Sequence, residues 1–288
     1  LKEVTVVSGK GGTGKTSITA ALATLVSNAV ICDCDVDAAN LHLMLKPKVH
    51  KTAEFIGSQK AVINSERCDR CGTCAQLCKF DAIVDYSVKT LACEGCKLCY
   101  HVCPRGAVEM VDHLSGHWYI SETAYGPFVH AKLGMAEGNS GLLVAQVRKA
   151  ARELAEEKKA SLILTDGPPG IGCPVISSLA GTDLALVVTE PTQSGIHDLK
   201  RICDLAGNFD CRLGVCINKA DLSEDNSNAI AEVAQNLGVP VLARLPYEKL
   251  MHDAVIKGKP VTELPDGAVQ EQIKKLWHGV ERIIKNIS

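Results

Sequence analysis

Eight of the chain's 14 cysteines lie between Cys68 and Cys103, in two copies of one spacing, Cys-x2-Cys-x2-Cys-x3-Cys. The first copy is Cys68, Cys71, Cys74 and Cys78; the second is Cys93, Cys96, Cys99 and Cys103. Three thiolates two residues apart can wrap one face of a compact inorganic body while a fourth closes it from elsewhere. Tetrahedral zinc more often takes two paired Cys-x2-Cys knuckles, and disulfides belong to oxidising compartments. The doubled spacing therefore points to iron–sulfur ligation by these eight cysteines, Cys68, Cys71, Cys74, Cys78, Cys93, Cys96, Cys99 and Cys103. Zinc and disulfides are the competing readings.

A second chemistry sits near the start of the chain. Gly9-Lys10-Gly11-Gly12-Thr13-Gly14-Lys15-Thr16 fits G-x-x-x-x-G-K-[ST] and is followed by Ser17. Glycines let backbone N–H groups converge on phosphate oxygens, and the helix that follows adds the positive end of its dipole. Lys15 is expected to reach the β- and γ-phosphates and Thr16 to ligate Mg2+. Asp33, Asp35 and Asp37 follow the next apolar run and share one face at a period of two. Such a position suits a metal ion and a polarised water.

These residues need a scaffold. Val4–Val7 reads as a buried strand feeding the glycine loop, Lys15–Ser27 as a helix, and Ala29–Asp33 as the next strand, which together make a βαβ unit. Residues 61–108 interrupt this pattern with the cysteine repeat, in which Ala82-Ile83 recurs as Ala107-Val108. A duplicated unit implies a small module with pseudo-twofold symmetry. A hairpin is expected over Gly116–Lys132, turning at Gly126-Pro127, and a helix over Ser140–Lys158 capped by Ser140. Ser161–Thr165, Leu184–Thr189 and Leu213–Ile217 read as further strands. Apolar strands alternating with helices imply an α/β fold, a mainly parallel sheet covered on both faces. The expected organisation is a discontinuous nucleotide-binding domain, residues 1–60 and 109–288, with an inserted α+β module at 61–108.

Composition narrows the partners. Net charge is −2 and aromatics are 4%, so neither a nucleic-acid partner nor a base-stacking surface is expected. No apolar run is long enough to span a membrane and no export signal is evident, which reads as cytoplasmic. The stripe Ile273, Leu276, Val280 and Ile284 belongs to a helix packing on its own sheet, a membrane-surface helix being the alternative. Cys32, Cys34, Cys203, Cys211 and Cys216 read as structural thiols, and the scattered histidines as structural or surface groups.

Taken together, the motifs resemble the MinD/ParA superfamily of P-loop ATPases, relatives of the nitrogenase iron protein and the Mrp-type iron–sulfur ATPases. Lys10 looks like that superfamily's signature lysine, which implies a homodimer bridged by nucleotide, with Lys10 acting on the partner's phosphates. Asp33 to Leu41 resembles the first switch, which makes Asp35 the residue that orients the attacking water. Asp166-Gly167-Pro168-Pro169-Gly170 resembles the second, with Asp166 near Mg2+. Asn218 and Pro246 resemble the adenine-contacting elements. Asn218-Lys219-Ala220-Asp221 is also the form of a guanine-reading motif, so GTP stays open beside the favoured ATP. Cys173 stands where the nitrogenase iron protein carries a ligand to an interface cluster; a buried thiol is the other reading. The cysteine block resembles bacterial two-cluster ferredoxins, Cys103 being followed by Pro104 and Cys78 by Lys79; the resemblance implies two 4Fe-4S clusters, one held by Cys68, Cys71, Cys74 and Cys103 and the other by Cys93, Cys96, Cys99 and Cys78. The implied protein is an ATPase that couples hydrolysis to electron transfer toward an unidentified redox or iron–sulfur acceptor protein. A cluster carrier and a positioning protein are the alternatives. The carrier lacks its family's C-terminal Cys-x2-Cys, and positioning needs no redox centre.

Overall fold

Runs such as Val4–Val7 offer no polar face to water, so they fold only as strands covered on both sides. The computed structural model describes residues 1–134, 137–138 and 140–287. Among them is a sheet of nine strands, in the order β11-β10-β9-β1-β8-β2-β7-β6-β3. In chain order these are β1 (Lys2–Ser8), β2 (Ala29–Asp33), β3 (Lys48–Ile63), β6 (Val108–Thr123), β7 (Gly126–Leu133), β8 (Leu162–Pro169), β9 (Leu184–Thr189), β10 (Arg212–Ile217) and β11 (Val241–Arg244). From β11 to β7 every pairing is parallel, with β1 flanked by β8 and β9 at the centre.

The chain divides into two compact units: Leu1–Thr52, Trp118–Lys132 and Gly141–Ser288 form the first, Ala53–His117 and Leu133–Ser140 the second. The second is wider than the segment 61–108 expected from cysteine spacing. The reason lies in β3 and β6, each of 16 residues, which extend beyond the cysteine runs on either side.

In the first unit, helices cover both faces of the sheet. On one side α1 (Lys15–Ala23) and α10 (Ala268–Lys285) bury Ile18, Leu22, Ile273, Leu276 and Val280 with Val4, Val6 and Leu164. On the other, α6 (Cys173–Leu179), α7 (Gln193–Ala206) and α8 (Glu224–Asn236) bury Val175, Leu199, Ile202 and Ile230 with Val7, Val187 and Val215. The apolar stripe of α10 is thus core. Each such fully buried aliphatic side chain contributes roughly 1.5–3 kcal/mol of transfer free energy. α5 (Ser140–Lys158) buries Leu143, Val147, Ala151 and Leu154, the face its periodicity marked.

The hairpin joining β6 to β7 turns at Ala124-Tyr125, two residues before the position expected. Thr123 fixes the turn: its hydroxyl accepts the Tyr125 N–H at 3.1 Å and donates to the Gly126 carbonyl at 2.8 Å.

In the second unit the sequence repeat is also a backbone repeat. The short helices α3 (Thr73–Leu77) and α4 (Leu98–Val102) are equivalent, and each ends at an extended cysteine, Cys78 and Cys103. Left-handed residues recur at the same offset: Arg70 with Gly95, Gly72 with Lys97, and Asp81 with Gly106. A small hairpin of β4 (Ile83–Val84) and β5 (Ser87–Val88) lies between the halves in sequence. The unit's apolar core is small: Ala61, Ala82, Cys93 and Val108 form one buried cluster, and Phe55, Cys74, Ile83 and Ala107 are buried as well.

Candidate functional site

The glycine loop runs between β1 and α1. Gly12 and Gly14 hold φ of 81° and 87°, values open to glycine at little cost. At Gly14 there is a second reason: a Cβ there would stand 2.4 Å from the side-chain nitrogen of Asn218. That nitrogen donates to the Thr13 carbonyl at 2.7 Å, so Asn218 braces the loop from the end of β10.

Lys15 follows the loop and is 5% exposed. Its ammonium donates to Asp166 Oδ1 at 2.9 Å and lies 3.5 Å from Asp35 Oδ2. Burial works against its charge, but Asp166 and Asp35 outweigh that, and its pKa is raised. Asp166, at the centre of β8, also accepts from Thr19, while its Oδ2 is buried with no hydrogen-bond partner. Burial raises the pKa of Asp35, with Lys15 opposing.

The three aspartates after β2 do not share a face. The strand stops at Asp33, which is fully buried, and the chain turns; Asp35 is half-buried and Asp37 exposed. Asp33 makes the turn by accepting the backbone N–H groups of Asp35 and Leu41. Burial and then the Asp166 charge push its carboxyl well above the usual range. Its place is structural: it sets the loop that carries Asp35.

Lys10 lies on the loop's outer side. Its ammonium is 2.6 Å from Glu190 Oε1 and donates to the Thr192 and Ser194 hydroxyls at 3.3 and 3.0 Å. Lys219 meets the other Glu190 oxygen at 3.1 Å. Glu190 resists burial through these two cations, and its pKa is lowered. The sequence reading missed Glu190. Its position directly after β9, beside the strand that feeds the loop, was the available signal.

Gly14, Ser17, Asn218, Pro246, Tyr247 and Met251 line an open groove. Asp221, the residue a guanine would need, has its Oδ1 engaged by the Tyr247 N–H at 2.6 Å. Thr16 stands half-buried at the start of α1. Cys173 is exposed at the start of α6, where a Cβ on Gly141 would lie 3.3 Å from its own Cβ.

The cysteines of the second unit surround two voids. One is lined by Cys78, Cys93, Cys96 and Cys99. The other is lined by Cys68, Cys71, Cys74 and Cys103. Each void thus draws three thiols from one run and the last thiol from the other. Two N–H···S bonds repeat as well, Ala82 to Cys78 at 3.4 Å and Ala107 to Cys103 at 3.2 Å. Burial raises Cys74 and Cys99, while at Cys103 the N–H groups of Ala107, Arg105 and Val108 outweigh burial and lower the pKa. Among the described residues, no three His, Cys, Asp or Glu side chains converge as the ligand set of a single ion.

A glycine loop between the central strand and a helix, with a buried lysine and carboxylates at the neighbouring strand ends, defines a P-loop nucleotide-binding protein. The chain belongs to the CobQ/CobB/MinD/ParA nucleotide binding domain family, which residues 4–261 match. It is accordingly an ATP-binding ATPase of the MinD/ParA type. It is 37% identical over 229 residues to an uncharacterized protein of Methanocaldococcus jannaschii, covering 78% of this chain and 81% of that one. Its fold is similar to that of the septum site-determining protein MinD of Pyrococcus horikoshii, solved with Mg-ADP. There the TM-score is 0.60 at 20% identity, covering 98% of this chain and 97% of that one. It is also 23% identical over 150 residues to the light-independent protochlorophyllide reductase iron-sulfur ATP-binding protein of Chlorobium phaeobacteroides, half of this chain and 54% of that one. No helix among the described residues is long and apolar enough to cross a membrane.

Proposed function

We propose that this ATPase carries two 4Fe-4S clusters and couples ATP hydrolysis, in a nucleotide-bridged homodimer, to electron transfer toward a partner protein. The observation that carries the reading is the lining of the two voids. Cys68, Cys71, Cys74 and Cys103 would hold one cluster and Cys93, Cys96, Cys99 and Cys78 the other, the division the ferredoxin resemblance implies. Four thiols lining each void match the ligand number of a 4Fe-4S cluster. The small apolar core of the second unit supports the same reading, since units with little core commonly depend on metal or disulfide staples. When bound, such clusters supply one-electron carriers.

In the first unit, Lys15 would neutralise β- and γ-phosphate charge once nucleotide draws it from Asp166 and Asp35. The Asp166 carboxylate, with one oxygen buried and unpartnered, would then be available, together with Thr16, to Mg2+. Asp35 would orient the attacking water, and Lys10 would leave Glu190 to serve the partner subunit's nucleotide. Asn218 and Pro246 line the groove that fits the nucleoside. The iron-sulfur ATP-binding protein among the distant relatives, by its name, shows these two chemistries together elsewhere.

The test is iron and turnover on one preparation. Anaerobically reconstituted chain is expected to hold about eight irons and to release phosphate from ATP. Stoichiometric zinc with no iron uptake would refute the cluster part, and no ATP turnover the rest.

A further inference from the structure

The two halves of the cysteine unit repeat in spacing, backbone and N–H···S bonds, but not in charge. Lys60, on β3, is 6% exposed, and its ammonium donates to the carbonyl of Cys93 at 2.8 Å. Cys93 lines the void shared with Cys78, Cys96 and Cys99. Behind Lys60 stands Glu137, equally buried, with Oε2 3.5 Å from the ammonium and Oε1 3.0 Å from His113 Nε2. That Oε2 has no hydrogen-bond partner. The charged side chains that line the voids, Glu94 and Lys97 at this one and Asp69 and Arg105 at the other, are exposed, where water and salt screen them, so the buried Lys60 and Glu137 are what sets this half apart.

A buried lysine–glutamate pair is a poor way to gain stability, because apolar side chains of similar size are often as good or better. It does fix a field. The cationic end of this pair donates to the backbone of one cysteine that lines the void, and the anionic end meets that cation without lining the void. Reduction of a cluster adds one electron and breaks no bond, so the reduced body is more negative by one unit. A fixed cation close by, in a region of low dielectric, favours that state.

We propose that Lys60 is a positioning residue that raises the reduction potential of the cluster held by Cys78, Cys93, Cys96 and Cys99, with Glu137 as the opposing charge that moderates it. The inference rests on the cluster reading above. It gives the two centres unequal potentials and so a direction to electron flow between them.

The test uses the full chain reconstituted anaerobically, titrated with dithionite and followed by electron paramagnetic resonance. Lys60→Met is expected to lower the reduction equilibrium of one cluster about tenfold, ~59 mV for one electron, and to leave the other unchanged. Glu137→Gln, which removes the anion and keeps the cation, is expected to move the same cluster the opposite way. Lys60→Arg keeps the charge and is expected to stay near the wild-type value. Should Lys60→Met fail to take up iron, Lys60→Gln keeps a donor for the Cys93 carbonyl without the charge and carries the same expectation. Loaded clusters whose potentials do not move, or move in one direction for both charge changes, overturn this inference alone. A wild-type chain that takes up no iron overturns the cluster reading and this inference with it.

Discussion

Lys10 and Glu190 form an ion pair at 2.6 Å within one chain, on the outer side of the phosphate loop. A lysine proposed to act on the partner subunit's nucleotide is therefore held at home by a carboxylate at the end of β9. Lys10→Ala is expected to bind ATP normally and lose most turnover, on the scale of ~10³–10⁵ for trans-acting cations. Equilibrium binding and phosphate release, measured side by side, check it. An equal loss of binding would place Lys10 on its own nucleotide instead.

Glu190 is shared with Lys219, so neutralising it loosens two cations at once. Glu190→Gln is expected to raise turnover several-fold at low protein concentration, where release of Lys10 limits dimer closure. A rate that is unchanged at all concentrations would mean the pair does not restrain the lysine.

Lys15 is the sole cation joining Asp35 and Asp166 among the ion pairs of the described residues. Removing one partner of a buried pair leaves uncompensated charge, at a cost of roughly 3–5 kcal/mol. Lys15→Ala is thus expected to lose nucleotide binding and also to lower the denaturation midpoint. Full stability with lost binding would show that the carboxylates neutralise by taking up protons.

His130 offers a pH signature. Its ring is 8% exposed, stacked between Phe128 and Tyr119, and bonded to Ser121. Burial, then the neighbouring His42, lowers its pKa from 6.5 to about 4. A depressed histidine contributes stability that is present above pH 6.5 and lost as the pH falls toward 4, on the order of 3 kcal/mol. Denaturant titrations at pH 7, 5.5 and 4 should show this loss in the wild type and a flatter slope in His130→Phe. Parallel slopes would contradict it.

Cys78 separates the two voids most cleanly, since its run lines one and it lines the other. Cys78→Ser is expected to remove about half of the eight irons that two four-iron clusters carry, sparing the signal of the other cluster. Loss of all iron, or of none, would contradict the crossed assignment.

Much of this arrangement was legible in the chain. The period of β1, β2 and β9 announced buried parallel strands, and the 25-residue offset of the cysteine runs reappears in α3 and α4 and in the left-handed residues. What sequence could not deliver was long-range. β3 alternates too weakly to be read as a strand, because much of it is exposed. The carboxylates after β2 part company because the strand stops at Asp33, whose carboxylate accepts the N–H groups of Asp35 and Leu41, two and eight residues on, a local turn that the period of two passes over. Glu190, Glu137 and Lys60 carry no motif; each matters through a partner distant in sequence.

The central claim is that nucleotide state governs the clusters. Couplings between sites commonly amount to ~1–3 kcal/mol, and 100 mV corresponds to about 2.3 kcal/mol per electron, so shifts of roughly 40–130 mV are expected. The measurement is a redox titration, followed by electron paramagnetic resonance, of the reconstituted chain in three states. These are free of nucleotide, with Mg-ADP, and with ATP retained by Asp35→Asn. The account predicts that the ATP state differs from the other two in the midpoint of at least one cluster by such an amount. Identical midpoints in all three states would contradict it.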